Sequence, residues 1–296
     1  MSAKLSGMTG FARVAGEADW GAWAWEAKSV NGRGLDVRVN TPPGFDALER
    51  AIKAAASRRL KRGSLQVSLR IEQSAASADA AINMGLYSKL IEAARRAAGG
   101  DISSEALATL MTVKGVVETG SESLRDLAAN EEIIALLAAA GEQALDELSN
   151  ARQSEGDALQ GILEGHITEM EVLAQTAASL AVEQPALLKE RLTKQLDELD
   201  PGNRVDPDRL AAELALTAAR ADVREELDRL AAHFASAREL LALGSPVGRK
   251  LDFLAQELNR EANTLCSKSV SIDLTNAGLG LKGVIDQFKE QAANVE

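Results

Sequence analysis

Near the C-terminal end of the chain, six charged side chains are spaced so that they can act together. Glu257 and Glu261 stand one helical turn apart within SPVGRKLDFLAQELNREANTLCSK (245–268), so their carboxylates point the same way. Asp222, Glu226, Arg229 and His233 follow at intervals of four, three and four, which sets them along one line of a helix. Carboxylates offer hard oxygen donors to a divalent cation, and a histidine beside them can complete such a site or carry a proton. The same inventory also describes a structural face, with Arg229, Arg249 and Arg260 pairing with the carboxylates as interhelical salt bridges. Spacing leaves both readings open.

Two amphipathic helices must hold these groups. The first is expected over 208–243, with Val223, Leu227, Leu230, Phe234 and Leu241 as its buried stripe. The second is expected over 246–266, with Ser245 as N-cap, Pro246 at the first helical position, and Leu251, Leu254, Leu258 and Leu265 inward. A short Gly-Ser turn joins them, which makes them antiparallel neighbours. Asp222, Glu226 and His233 then face Glu257 and Glu261 across a groove. A last helix is expected from about Thr275 to Val295. It contains Gly278, Gly280 and Gly283 in GxGxxG spacing, but without the preceding strand that dinucleotide binding requires.

The N-terminal part reads differently. Residues 8–17, 20–30, 35–40 and 64–72 alternate as strands, with Asn31-Gly32 as a hairpin signal and Trp23 and Trp25 on one strand face. A helix capped at Asp46 lies between the last two strands, with Leu48, Ile52 and Leu60 inward and Arg58, Arg59, Lys61 and Arg62 at its end. The fold class is therefore α+β. A small antiparallel-sheet domain with one helix (1–73) and a small-residue linker (74–82) precede a helical middle region (83–203). An all-α C-terminal domain (204–296) follows. The middle holds an apolar helical pattern from Glu131 to about Val182, which uninterrupted would extend about 78 Å. With a helix at 185–199 it forms a helical hairpin, an arm suited to contact between subunits.

Composition narrows the class. The chain has 296 residues, a net charge of −11 and one cysteine, so an internal disulfide is excluded. No apolar signal-peptide core or membrane-length apolar run is present, and a cytoplasmic location is expected. Charge is unevenly placed: residues 1–73 hold twelve Lys and Arg against seven Asp and Glu, a net of +5 that leaves −16 for the remainder. A basic module on an acidic body is where phosphate contacts are sought.

Three stretches carry a family resemblance: MTGFARV (8–14), KSVNGRGLDVRVNTPPGF (28–45) and PVGRKLDFLAQELNREANTLCSK (246–268). They resemble the YicC family of bacterial proteins, over residues 8–72 and from about 206 to 296. The resemblance implies a metal-dependent endoribonuclease that assembles as a homo-oligomer, a hexamer, with RNA as substrate. Mn²⁺ or Mg²⁺ would be held by Asp222, Glu226, His233, Glu257 and Glu261. Of these, His233, Glu226, Glu257 and Glu261 would carry the catalysis. Arg249, Lys250, Arg260 and Lys268, with Asn31 and Arg33 on the N-terminal hairpin, would contact RNA. One departure stands out: after Asn31-Gly32-Arg33 the family pattern carries an aromatic residue, where this chain has Gly34. Two readings compete with the nuclease, an RNA-binding adaptor without catalysis and a purely structural helical scaffold.

Overall fold

A computed structural model describes residues 4–73, 81–118, 121–199 and 206–296. The chain forms two compact units, one of residues 10–151 and one of residues 152–296 with the segment 4–9. This division differs from the sequence boundaries at 73, 83 and 203, because one unbroken helix contributes to both units.

In the first unit, β1 (Gly10–Ala18), β2 (Gly21–Val30), β3 (Leu35–Asn40), helix α1 (Asp46–Arg59) and β4 (Gly63–Gln73) follow in order. The strands form one sheet ordered β1-β2-β4-β3, with β1–β2 and β2–β4 antiparallel. The β3–β4 pair is parallel, so the sheet is mixed rather than purely antiparallel. The reason is α1, whose crossover returns the chain in the direction it left. Further along come β5 (Ala81–Ile82), α2 (Met84–Ala98), α3 (Ser104–Met111), β6 (Val117–Glu118) and α4 (Ser121–Ala129).

Helix α5 (Glu131–Ala181) then runs without a break over the expected range. Its first part closes the core of the first unit, where Leu137, Leu145 and Leu148 join Trp25, Phe45, Ile52 and Val67. Trp25 is wholly buried, and its indole N–H donates to the Leu137 carbonyl at 2.9 Å, so the one polar atom of the ring is satisfied. Trp23, expected beside it, is only partly buried.

The second unit continues from α5 through α6 (Gln184–Leu199), α7 (Pro207–Arg220), α8 (Arg224–Leu243), α9 (Gly248–Lys268) and α10 (Ile272–Ala292). Its core joins Leu163, Ile167 and Met170 of α5 to Leu230, Phe234, Leu258, Leu265, Leu281 and Phe288. The segment 4–9 is strapped across α5. Arg152, with no exposed surface, donates from Nε to the Gly7 carbonyl at 2.8 Å and pairs with Glu296 at 3.0 Å. The Thr9 N–H donates to Glu155 Oε2 at 2.9 Å. Gly156 is required here, because a β-carbon would lie 2.1 Å from the Leu5 carbonyl oxygen.

Several helix boundaries differ from expectation, beginning with α1, whose N-cap is Phe45 rather than Asp46. The span 208–243 is two helices, broken at Ala221–Val223, and the carbonyls freed by the break find side-chain donors. Gln184 Nε2 donates to the Ala221 carbonyl at 2.9 Å and Lys268 Nζ to the Asp222 carbonyl at 3.0 Å. A further difference is the start of α9, whose N-cap is Val247 rather than Ser245. The Ser245–Pro246 bond is cis, and the Ser245 hydroxyl oxygen accepts from the Ser6 N–H at 2.9 Å. The Val247 and Gly248 N–H groups donate to the Glu296 backbone oxygen at 2.9 and 3.1 Å, which serves as their cap. The last helix begins at Ile272, with the Ser271 hydroxyl accepting from Leu274 N–H at 3.1 Å.

Candidate active site

Helices α8 and α9 pack through Leu230, Phe234 and Leu241 on one and Leu251, Leu254, Leu258 and Leu265 on the other. Their charged residues lie at the edge of this seam. Two contacts fix the antiparallel register: Arg229 to Glu261 at 3.4 Å, and Lys268 to Glu226 at 2.8 Å. The same register brings His233 and Glu257, one turn further on each helix, to one level. Both are half-buried, and among the described residues neither has a hydrogen-bond or ion-pair partner.

Glu226 and Glu261 are buried, each 4% exposed, which is unusual for carboxylates and demands compensation. Glu261 has it from Arg229, which also pairs with Glu225 on its own helix. Glu226 has it at one oxygen only. Its Oε1 accepts from Lys268, while its Oε2 is buried without a partner. Among the described residues, His166 Nδ1 is another side-chain atom in that condition. Lys268 spans the site, holding Glu226 with one proton and the Asp222 carbonyl at the helix break with another. Its ammonium thus fixes both the acid and the backbone that presents it.

Asp222 is placed otherwise than the four-three-four spacing implied. It stands in the break before α8, where its Oδ1 accepts the Arg224 N–H at 3.0 Å and its carboxylate pairs with the Arg224 guanidinium. Those hydrogen bonds hold its carboxyl down at about 2, against an ordinary 3.8. It is an ionised partner of Arg224 in the turn before α8, whose N-cap is Val223, rather than a member of the α8 stripe. Arg224 was not singled out in the sequence, although its position two residues after an aspartate at a helix start is the signal that identifies it.

The remaining predicted positions are surface groups. Arg249 and Lys250 are exposed in the first turn of α9, and Arg260 is exposed further along it. Asn31 and Arg33 are exposed between β2 and β3 in the other unit. Among the described residues, no three His, Cys, Asp or Glu side chains come together as a set able to hold a metal ion. The five expected ligands are therefore not gathered as one cluster: Asp222, Glu226 and Glu261 are each engaged by a cation, and His233 and Glu257 stand a turn away. Burial pushes the Cys266 thiol up, away from thiolate chemistry. No helix among the described residues is long and apolar enough to cross a membrane.

Residues 5–161 match the family described as "Endoribonuclease YicC-like, N-terminal region", and residues 163–296 match "Endoribonuclease YicC-like, C-terminal". The chain is similar to a "Probable endoribonuclease YicC" of Haemophilus influenzae, 35% identical over 98% of this chain and 99% of that one. It is also similar to a "Probable endoribonuclease YicC" of Clostridioides difficile, 29% identical over 98% of this chain and 99% of the relative. With both family regions matched in order and nearly the whole chain covered, the chain belongs to the endoribonuclease YicC-like family.

Proposed function

We propose that the chain is an endoribonuclease that hydrolyses internal phosphodiester bonds of RNA at the α8–α9 face, with Mg²⁺ or Mn²⁺ as cofactor. One observation carries the reading: the buried Oε2 of Glu226 has no partner, while its Oε1 is fixed by Lys268. A buried carboxylate oxygen left open costs stability, on the order of 1–3 kcal/mol, and is a feature expected where a substrate or ion completes the site.

The donor set fits a hard cation of a particular kind. Mg²⁺ is commonly held by one or two carboxylates with water and substrate phosphate oxygens, so a three-ligand protein cage is not needed. Glu226 and Glu261 are the first candidates, with Glu257, His233 and Asp222 around them. When bound, the ion supplies Lewis-acid polarisation of the phosphate and a more acidic water. The chain's own residues do the rest. Lys268 orients Glu226, Arg229 orients Glu261, and His233 or Glu257 moves a proton at the leaving or attacking oxygen. Arg249, Lys250 and Arg260, with Asn31 and Arg33, contact phosphates. The reading includes a homo-oligomer, a hexamer, supported by exposed apolar residues such as Ile162, Val172 and Val182 on and beside α5.

The test is a time course with an end-labelled structured RNA in Mn²⁺, in Mg²⁺ and in EDTA, using wild type, Glu226→Ala and Glu257→Ala matched for folding and assembly. Discrete internal cuts that need metal and vanish in the variants are expected. Equal cutting by all three proteins would overturn the site assignment. Intact RNA with retained binding would mean an adaptor rather than a nuclease.

A further inference from the structure

Lys268 borders a second opening, away from the carboxylates. A cavity of about 390 Å³ lies among α6, the end of α7 and the C-terminal end of α9 with the residues just after it. Its charged lining residues are Arg191, Arg220 and Lys268, and among the described residues none of the lining is acidic. The chain as a whole has 44 Asp and Glu against 33 Lys and Arg, so three cations without a carboxylate run against its composition.

Each lining group has a definable role. The Thr217 and Ser267 hydroxyls donate to the carbonyls of Glu213 and Thr264, and Ser269 donates to the carbonyl of Ser271, so these side chains do not turn their protons to the cavity. Donors for an anion are then the two guanidinium groups, with the Gln195 amide beside them. Arg191 and Arg220 are exposed, and among the described residues neither has an ion-pair partner. Arginine left unpaired beside a concave surface presents a planar fork that matches phosphate oxygens two at a time. Lys268 connects this cavity to the acid, because the ammonium that lines it also holds Glu226 at 2.8 Å.

We propose that this cavity is a phosphate-backbone subsite, in which Arg191 and Arg220 hold consecutive stretches of a single RNA strand that continues past Lys268 to Glu226. The proposal rests on the ribonuclease reading and adds to it where the strand runs. Arg191 and Arg220 position the strand and touch no reacting atom.

The test uses full-length protein and a 5′-fluorescein-labelled single-stranded oligoribonucleotide, in EDTA so that binding is read without cutting. Anisotropy titrations over a salt series compare wild type, Arg191→Ala/Arg220→Ala and Arg191→Lys/Arg220→Lys. Thermal melts and solution mass are measured on each. The alanine pair is expected to weaken binding about tenfold and to reduce the slope of log K against log salt by about 1.4, the value for two phosphate contacts on a single strand. The lysine pair is expected to retain most of both. Cleavage by the alanine pair should lose kcat/KM through KM, with single-turnover rate near wild type. Unchanged affinity and slope in the alanine pair, with wild type binding normally, would overturn the subsite. So would a change of solution mass with an unchanged slope, which would make the cavity a contact between copies. Binding that depends on the arginines without any cleavage by wild type would keep the subsite and overturn the nuclease. Wild type that binds no RNA would overturn both.

Discussion

The second unit contains two buried charge clusters, and they are finished to different degrees. Arg152, fully enclosed, donates to the Gly7 carbonyl and pairs with Glu296, while neighbouring Glu155 accepts from Thr9. Desolvation lowers the pKa of Arg152, opposed by the charges of Glu296 and Glu155. Its job is complete within the chain: it ties the segment 4–9 to α5. Glu226 is nearly as buried, yet Lys268 satisfies one oxygen and the other stays open. A structural ion pair gains most by closing every lone pair and proton, since an unpaired buried charge is costly. The Glu226 cluster stops short of that closure.

If that contrast is right, the two clusters should fail in different ways. The largest effect is expected at Arg152. Arg152→Ala strands Glu296 and the Gly7 carbonyl, and should cost about 3–5 kcal/mol in a urea melt, with any activity loss following the unfolded fraction. Glu226→Gln keeps shape and a hydrogen-bond partner for Lys268. On the proposed function it should lower the cleavage rate by about 10²–10⁴ while the melt moves little, because it removes the carboxylate charge and leaves the shape. If Glu226→Gln were instead the more destabilising of the two and left cutting intact, the contrast would be reversed.

Smaller effects refine the edges. Asp222→Ala should cost on the order of 1 kcal/mol for the lost hydrogen bond from the Arg224 N–H, read by chemical denaturation. The Asp222 carboxyl is depressed in the fold, so its contribution is fully present above its ordinary pKa of 3.8 and is lost as pH falls toward about 2. Between neutral pH and about 5, wild type and Asp222→Asn should therefore show parallel stability profiles. His233→Ala, half-buried and without a partner, should change stability by less than about 0.5 kcal/mol. Its effect belongs in the pH–rate profile, where loss of one limb would mark it as the proton carrier.

Much of this arrangement was legible in the sequence where the apolar period applies locally, whereas the caps expected at Asp46 and Ser245 are not the caps found: α1 is preceded by Phe45 and α9 by Val247. The span of α5, the sheet strands and the α8–α9 pairing follow from apolar periodicity and from the Gly-Ser turn, whereas the hairpin expected at Asn31-Gly32 does not form: β4 inserts between β2 and β3 and pairs with both. The parallel β3–β4 pair was less visible, since it depends on where α1 crosses. The break at Ala221–Val223 was missed because its stabilising partners, Gln184 and Lys268, lie far off in sequence. The start of α9 was misplaced because Ser245 is recruited by Ser6 and the cap is supplied from Glu296. For the candidate site, spacing set Glu226, Glu261, His233 and Glu257 along two helix faces, and the family resemblance rather than the spacing suggested catalysis. Spacing had no means of showing that Lys268 faces Glu226, or that one oxygen is left open.

The most direct test is single-turnover cleavage of one RNA by wild type and Glu226→Gln, each with a matched thermal melt and solution mass. A loss of at least about a hundredfold in rate, with folding and assembly unchanged, is the predicted result. Wild-type rate in a well-folded Glu226→Gln protein would contradict it, and would return the α8–α9 face to an ordinary structural ion-pair network.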